Sequence, residues 1–314
     1  MQTITLGVSP LRSSRLAYGC WRVTGTWDPR EISPESWNAG KLAIRTAYEA
    51  GYTLFDNADI YCGGEAERLL GEVLRETPGM RERVVIATKC GIRPAHTPQP
   101  GLPQRYDFSA EHILRSVEGS LKRLGIETID LLLLHRPDYL ADPAEVAEAF
   151  SRLQQDGKVR WFGLSNCRPT LVTALQCACP MPFIVHQVEI SLLRQDALTD
   201  GTLDQCLIEH ITPQAWSPLA GGLLADGASR LLRWQQQYQP HTVLDELDSL
   251  ARQYETTRGV IALAWLLRHP AGIVPVVGST KPDRIREATR ATEIRLTRDE
   301  WYRLLVAARG EPLP

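Results

Sequence analysis

Eight short apolar runs separated by helix-patterned segments, polar residues where several of those runs end, and no glycine-rich dinucleotide motif after any run together predict an α/β chain. The architecture expected is a (β/α)8 TIM barrel with an N-terminal β-hairpin and long loops on its C-terminal face. At 314 residues, length alone allows one large barrel or two ordinary domains. The unbroken βα rhythm, with no low-complexity linker, favours a single domain over 1–314. A doubly wound sheet is the competing architecture, but it would carry G-x-G-x-x-G directly after a strand.

Residues 2–15 alternate weakly and turn at Ser9-Pro10, which predicts a hairpin ahead of the main fold. The first barrel strand is expected at 16–20. Trp21 follows it, placed either to line a substrate pocket or to pack in the core. Then come helix 35–50, strand 53–55, helix 65–76, strand 84–88, helix 109–124 and strand 129–134. Ser109 reads as the N-cap of its helix, Ile113, Val117, Leu121 and Leu124 as the buried face, and Gly125 as the stop. Asp142-Pro143 opens another helix, with Val146, Phe150 and Leu153 on one face and Gly157 at its end. Strands 159–164, 183–188, 211–216 and 273–277 bring the count to eight. The connections 90–107, with Arg93, His96 and Arg105, and 218–240, with Trp234 and Tyr238, exceed the usual two to six residues or so. Both leave C-terminal strand ends and are candidate substrate-selecting lids.

Chemistry concentrates where three successive strands stop. The run TLF leads into Asp56, with Tyr61 five residues on; VVIAT stops at Lys89; LLLL stops at His135. As parallel neighbours these strands put a carboxylate, a phenol, an ammonium and an imidazole on one rim, a set suited to proton transfer to a carbonyl. Tyr61 is the acid, Lys89 favours its phenolate, and Asp56 keeps Lys89 charged.

Bulk properties narrow the partners. A composition 43% hydrophobic and 23% charged with net charge -2 gives no reason to expect nucleic acid or anionic membrane. Seven scattered cysteines without a C-x-x-C pair fit reduced thiols, and Cys177 and Cys179 lack a second ligand pair, so no metal is expected. The N-terminus lacks a basic start and a long apolar run, so the expected location is cytoplasmic.

FDNADIY, IATKCG and DLLLLHRPD resemble the motifs of the aldo-keto reductase family in the family's order, and the resemblance continues through GKVRWFGLSN, HQVEIS, AWSPLAGG and VVGSTKPDRI. It spans roughly residues 15 to 308, and the HRPD form looks like a bacterial oxidoreductase subgroup. The resemblance implies that the hairpin plugs the barrel bottom and that the cofactor is NADPH/NADP+. Ser165, Asn166 and Gln187 offer groups suited to the nicotinamide carboxamide, and Trp216 stands where the family often stacks a tyrosine on the ring. Ser217, Leu219 and Gly221 belong to a glycine-rich turn that lets backbone N–H groups approach a pyrophosphate. Gly278, Ser279, Lys281 and Arg284 suit the adenosine 2′-phosphate, and Glu287 marks the adenine contact, although Ala288 replaces the family's frequent asparagine. Trp21, Cys62 and Arg136 are the expected substrate lining; Arg136 either attracts a carboxylate or pairs with Asp138. The implied function is NADPH-dependent reduction of a small aldehyde or ketone by a monomer. The alternative is a cofactor-holding interaction protein of the same fold with little turnover.

Overall fold

A computed structural model describes residues 1–314 except 228–231, 240 and the side chain of Trp234. A hairpin of β1 (Thr3–Thr5) and β2 (Arg12–Ser14) precedes the first barrel strand, β3 (Ala17–Gly19). The barrel continues through β4 (Leu54–Asp56) and β5 (Val85–Cys90). A two-stranded ribbon, β6 (Ile92–Arg93) with β7 (Arg105–Tyr106), then interrupts it. The remaining barrel strands are β8 (Ile129–Leu134), β9 (Val159–Ser165), β10 (Phe183–Glu189), β11 (Thr212–Trp216) and β12 (Val274–Val277). All neighbours in the barrel are parallel, and β12 pairs with β3 to close it. Each expected strand lies within one or two residues of its place.

The helices wrap the outside: α1 (Pro34–Glu49), α2 (Glu65–Glu76), α3 (Ala110–Leu124), α4 (Pro143–Gln155), α5 (Pro169–Ala178), α6 (Thr202–Ile208), α7 (His241–Gln253), α8 (Arg258–Leu267), α9 (Pro282–Ala288) and α10 (Arg298–Arg309). Their ends follow local chemistry. The Ser109 hydroxyl accepts from His112 N–H at the start of α3, and Gly125 ends it at φ 65°, where a side chain would be strained. Asp142 caps α4 by accepting from Ala144 N–H, with Pro143 at the first helical position.

Alternation along the strands decides what faces inward. Leu54, Val85, Ala87, Leu131, Leu133, Val185, Val274 and Val276 form an apolar inner cluster, and Leu6 of the hairpin packs into it. Leu6 is fully buried, worth about 1.5–3 kcal/mol for a side chain of this kind, and Gly7 N–H donates to Thr212 Oγ1 at 2.8 Å. The hairpin thus seals one end of the barrel. Gly163 of β9 leaves room for neighbouring strands, since a Cβ there would stand 2.5 Å from both Leu133 Cδ2 and Val185 O.

Continuing the same period of two toward the other end leads from Leu54 to Asp56, from Ala87 to Lys89, from Leu133 to His135 and from Val185 to Gln187. The polar layer of the barrel is therefore the upper storey of its apolar core.

Candidate active site

Lys89 is fully buried, and its three N–H donors are all placed: 2.8 Å to Asp56 Oδ2, 2.7 Å to the Asn57 carbonyl and 3.0 Å to the Tyr61 hydroxyl. Burial alone would lower its pKa, but Asp56 and Tyr61 outweigh burial and raise it. Because the Tyr61 oxygen accepts from Lys89, its own proton is left to donate outward. The chain leaves this position by a sharp turn, with Cys62, Gly63 and Gly64 all in the left-handed region at φ 49°, 62° and 95°.

The expected tuning of Tyr61 is modified by its surroundings. Burial is the largest influence and raises the phenol above its ordinary value, Asp56 adds to the rise, and Lys89 pulls the other way without overcoming it. The free protein therefore holds the Tyr61 phenol protonated at neutrality, with the Lys89 ammonium 3.0 Å from its oxygen. His135 stands edge-on to Tyr61, ring centroids 5.8 Å apart, with its buried Nδ1 unpartnered. Burial, then the Lys89 and Arg136 cations, hold its pKa well below the usual imidazole value, so the ring is neutral.

Beside this cluster lies an amide layer. Gln187 Nε2 donates to Asp56 Oδ1 and to Gln214 Oε1, both at 2.8 Å. Asn166 Nδ2 donates to the His135 carbonyl at 3.1 Å and to Ser165 Oγ at 2.7 Å, while its Oδ1 accepts from Trp216 Nε1 at 2.9 Å. With those amide hydrogens committed, Gln187 Oε1 and a lone pair of Asn166 Oδ1 remain as acceptors and the Ser165 hydroxyl as a donor. Two acceptors and one donor complement a carboxamide, which offers two N–H and one C=O. Asn166 adopts φ 59° and donates its backbone N–H to Gln187 O, which holds the layer together.

At the rim, Trp216 carries the Arg136 guanidinium over its ring at 5.3 Å, so Arg136 packs on an aromatic face. It makes no ion pair with Asp138, whose carboxylate instead accepts from the backbone N–H groups of Phe108 and Leu140. In the turn after β11, Ser217 and Gly221 have φ 49° and 71°. The N–H groups of Ala220 and Gly222 are spent on the Ser217 and Leu219 carbonyls, which removes two of the donors expected to face a pyrophosphate. After β12, Gly278 and Lys281 are exposed and Ser279 and Glu287 half-buried. Arg284 pairs with Asp226, from the 218–240 connection, at 2.5 Å. Helix α9 has only seven residues, so side-chain cations supply most of the positive charge there.

The remaining expectations divide. Trp21 is half-buried and packs edge-on against Trp27, 5.7 Å between centroids. Cys62 is fully buried with the Thr24 hydroxyl against its thiol, so it contributes a bend in the backbone and no pocket surface. The 90–107 connection holds the β6–β7 ribbon, an Arg93–Asp107 pair at 2.7 Å, a Gly101 N–H donated to His96 Nδ1 and an Arg105 bond to the Thr97 carbonyl. Its cationic residues are thus engaged within the loop. In the 218–240 connection Gln235 and Tyr238 both donate to Glu189 Oε1, fastening it to the end of β10, whereas the Trp234 side chain and 228–231 lie outside the described residues.

Sequence reasoning passed over Trp27, whose ring lies 6.0 Å from that of Tyr61, and Asn57, Glu189, Gln214 and Asp226. Trp27 had a signal: the 20–33 connection is also long and carries two tryptophans. The seven cysteines are free thiols, and among the described residues no helix is long and apolar enough to cross a membrane.

The Aldo/keto reductase family model matches residues 15–307. The 6-dehydroglucose reductase of Novosphingobium aromaticivorans is 41% identical over 98% of this chain and 96% of its own. A protein of the same name from Agrobacterium fabrum is 38% identical over 99% of each chain. Among solved structures, a thermostable aldo-keto reductase in complex with the inhibitor epalrestat superposes with a TM-score of 0.82 at 26% identity, covering 98% of this chain and all of that one.

Proposed function

Because this chain belongs to the aldo/keto reductase family of oxidoreductases, we propose that it reduces an aldehyde or ketone to the alcohol with NADPH and that Tyr61 is the proton donor. The observation that carries the reading is the buried Lys89, bridging Asp56 and the Tyr61 hydroxyl at 2.8 and 3.0 Å. That arrangement is of use to a group that must lose a proton and be left as an anion.

The substrate oxygen meets Tyr61 and His135. The neutral imidazole orients and polarises the carbonyl, the phenol donates, and Lys89, kept charged by Asp56, stabilises the resulting phenolate. These groups supply a proton but no hydride; the reduced nicotinamide supplies that when bound. Ser165, Asn166 and Gln187 would hold its carboxamide, as their one spare donor and two spare acceptors allow, and Trp216 offers its indole to the ring. Lys281 and Arg284 favour NADPH over NADH, because both exposed cations follow the last barrel strand, where the barrel's phosphate site commonly lies. The names of the two relatives bring a sugar-type aldehyde to this chain as the substrate class.

The test is Tyr61→Phe. Its expected effect is a loss of about 10²–10⁴ in kcat with 4-nitrobenzaldehyde, the range for a positioned general acid. NADPH affinity, read by fluorescence titration, stays near that of the wild type. Undiminished turnover would overturn the assignment. An interaction protein that holds the nucleotide would instead show tight NADPH binding and no aldehyde-dependent loss of nicotinamide absorbance in the wild type.

A further inference from the structure

Outside the rim of the candidate active site, the connection after β3 and the ribbon loop after β5 enclose an open groove of about 770 Å³. Trp27 belongs to both places: it lines the groove, and its ring sits 6.0 Å from that of Tyr61. A molecule reacting at Tyr61 and longer than the reacting carbon would pass the edge of this indole and enter the groove.

The lining defines what the groove accepts. Trp27, Pro29 and Ala95 give apolar surface, and the indole is 40% exposed, an unusual cost for a tryptophan that serves only to pack. Asp28, Arg30 and Glu31 give polar groups of both kinds. Arg30 uses its Nε and Nη2 on Asp28, which leaves three of its five N–H donors, while Glu31 Oε2 accepts from Thr26 and its other oxygen remains an acceptor. Two carboxylates and one guanidinium sum to a formal charge of -1. The balance of charge gives an anionic tail no net attraction, and a purely apolar tail leaves donors and acceptors unmatched. A neutral ring bearing hydroxyls, each both donor and acceptor, with a face of C–H groups for the indole, satisfies all of them.

Resting on the carbonyl-reductase reading, we propose that the Trp27 groove is a subsite for the distal, uncharged, hydroxyl-rich ring of an extended carbonyl substrate, and that Trp27 determines specificity for it. Substrates are then ranked by what lies several bonds from the reacting carbon.

The experiment compares kcat/KM for 4-formylphenyl β-glucopyranoside, a sugar-bearing aldehyde whose hydroxylated ring lies several bonds from the reacting carbon, and for 4-nitrobenzaldehyde in wild type, Trp27→Ala and Trp27→Phe. In parallel, saturation-transfer NMR reads binding of methyl glucopyranoside and of glucose 6-phosphate, which needs no turnover. Trp27→Ala is expected to lose at least tenfold more on the sugar aldehyde than on the nitrobenzaldehyde, mostly in KM, with Trp27→Phe recovering much of the difference. Saturation should reach the ring C–H protons of the glucoside in wild type and fade in Trp27→Ala, and the phosphate should bind more weakly. Equal losses on both aldehydes would overturn the proposal by making Trp27 a packing partner of Tyr61. Saturation transfer indifferent to Trp27, or tighter binding of the phosphate, would overturn it as well. If wild type reduces neither aldehyde while the glucoside still binds through Trp27, it is the reductase reading that fails and the sugar subsite that survives.

Discussion

The cluster at the ends of β4, β5 and β8 and the cation pair after β12 hold their charges in opposite ways. Lys89 and Asp56 are buried, and Lys89 has every donor matched inside the barrel. Arg284 is 42% exposed and leans on an Asp226 that is 62% exposed. The first pair is held by the core and fixes a geometry; the second stands in solvent with one exposed partner. Removing a charge should therefore damage the fold in one place and selectivity in the other.

Lys89→Met is the strongest way to break that contrast. It strands the Asp56 carboxylate with only the Gln187 amide for company, and such a loss typically costs about 3–5 kcal/mol. Denaturant unfolding should show it, together with loss of turnover. The double replacement Lys89→Met/Asp56→Leu should recover much of the stability and none of the activity. A single mutant as stable as wild type would mean that the pair is far better solvated than its burial implies.

His186 sharpens the comparison from within the barrel wall. It is 1% exposed, and burial drives its imidazole down to about 4 against the pull of Asp200. Between the unfolded value of about 6.5 and the folded value of about 4, the unfolded chain binds the extra proton, so stability is full above the upper limit and is lost as pH falls through the lower one. The total is roughly 3 kcal/mol at about 1.4 kcal/mol per unit. His135, also pushed down, acts in the same sense. In His186→Leu the slope of unfolding free energy across this window should shrink. An unchanged slope would assign the acid sensitivity elsewhere.

What could be read in the sequence follows the same division. Asp56, Lys89 and His135 were legible because a period of two carries an apolar run straight to its polar end, and Ser109 and Gly125 because capping is local. The partners that complete the layer were not. Gln214 meets Gln187 across 27 residues, and Gln235 and Tyr238 reach Glu189 across 46 and 49, through side chains whose meeting depends on how long loops fold. Cys62, expected in the substrate lining, is instead buried in a left-handed turn with its thiol against Thr24. For Arg136 the two readings separate: the pairing with Asp138 is not made, because that acid accepts from backbone N–H groups, and the guanidinium lies over Trp216.

At the exposed end, Arg284→Ala should leave stability within about 1 kcal/mol of wild type, as exposed pairs do, while weakening NADPH by roughly tenfold, or about 1.4 kcal/mol, and NADH much less. Fluorescence titration with both nucleotides gives the ratio. Equal weakening would place Arg284 away from the 2′-phosphate.

Asp226→Asn is the smallest and most discriminating change. If Arg284 holds the 2′-phosphate, the dianion must share or displace the Asp226 carboxylate, so the existing pair is a competitor worth no more than about 1 kcal/mol at this exposure. Removing its charge should tighten NADPH by up to about fivefold, leave NADH unchanged, and have most of its effect at low ionic strength, because salt screens exposed charges. Weaker NADPH binding with faster release would reverse the roles: Asp226 would then be a latch that closes the 218–240 connection over the nucleotide through Arg284, and the pair would work by joining two loops. Either outcome ties this ion pair to the cofactor, and only an Asp226→Asn protein identical to wild type for both nucleotides would leave the pair as surface decoration.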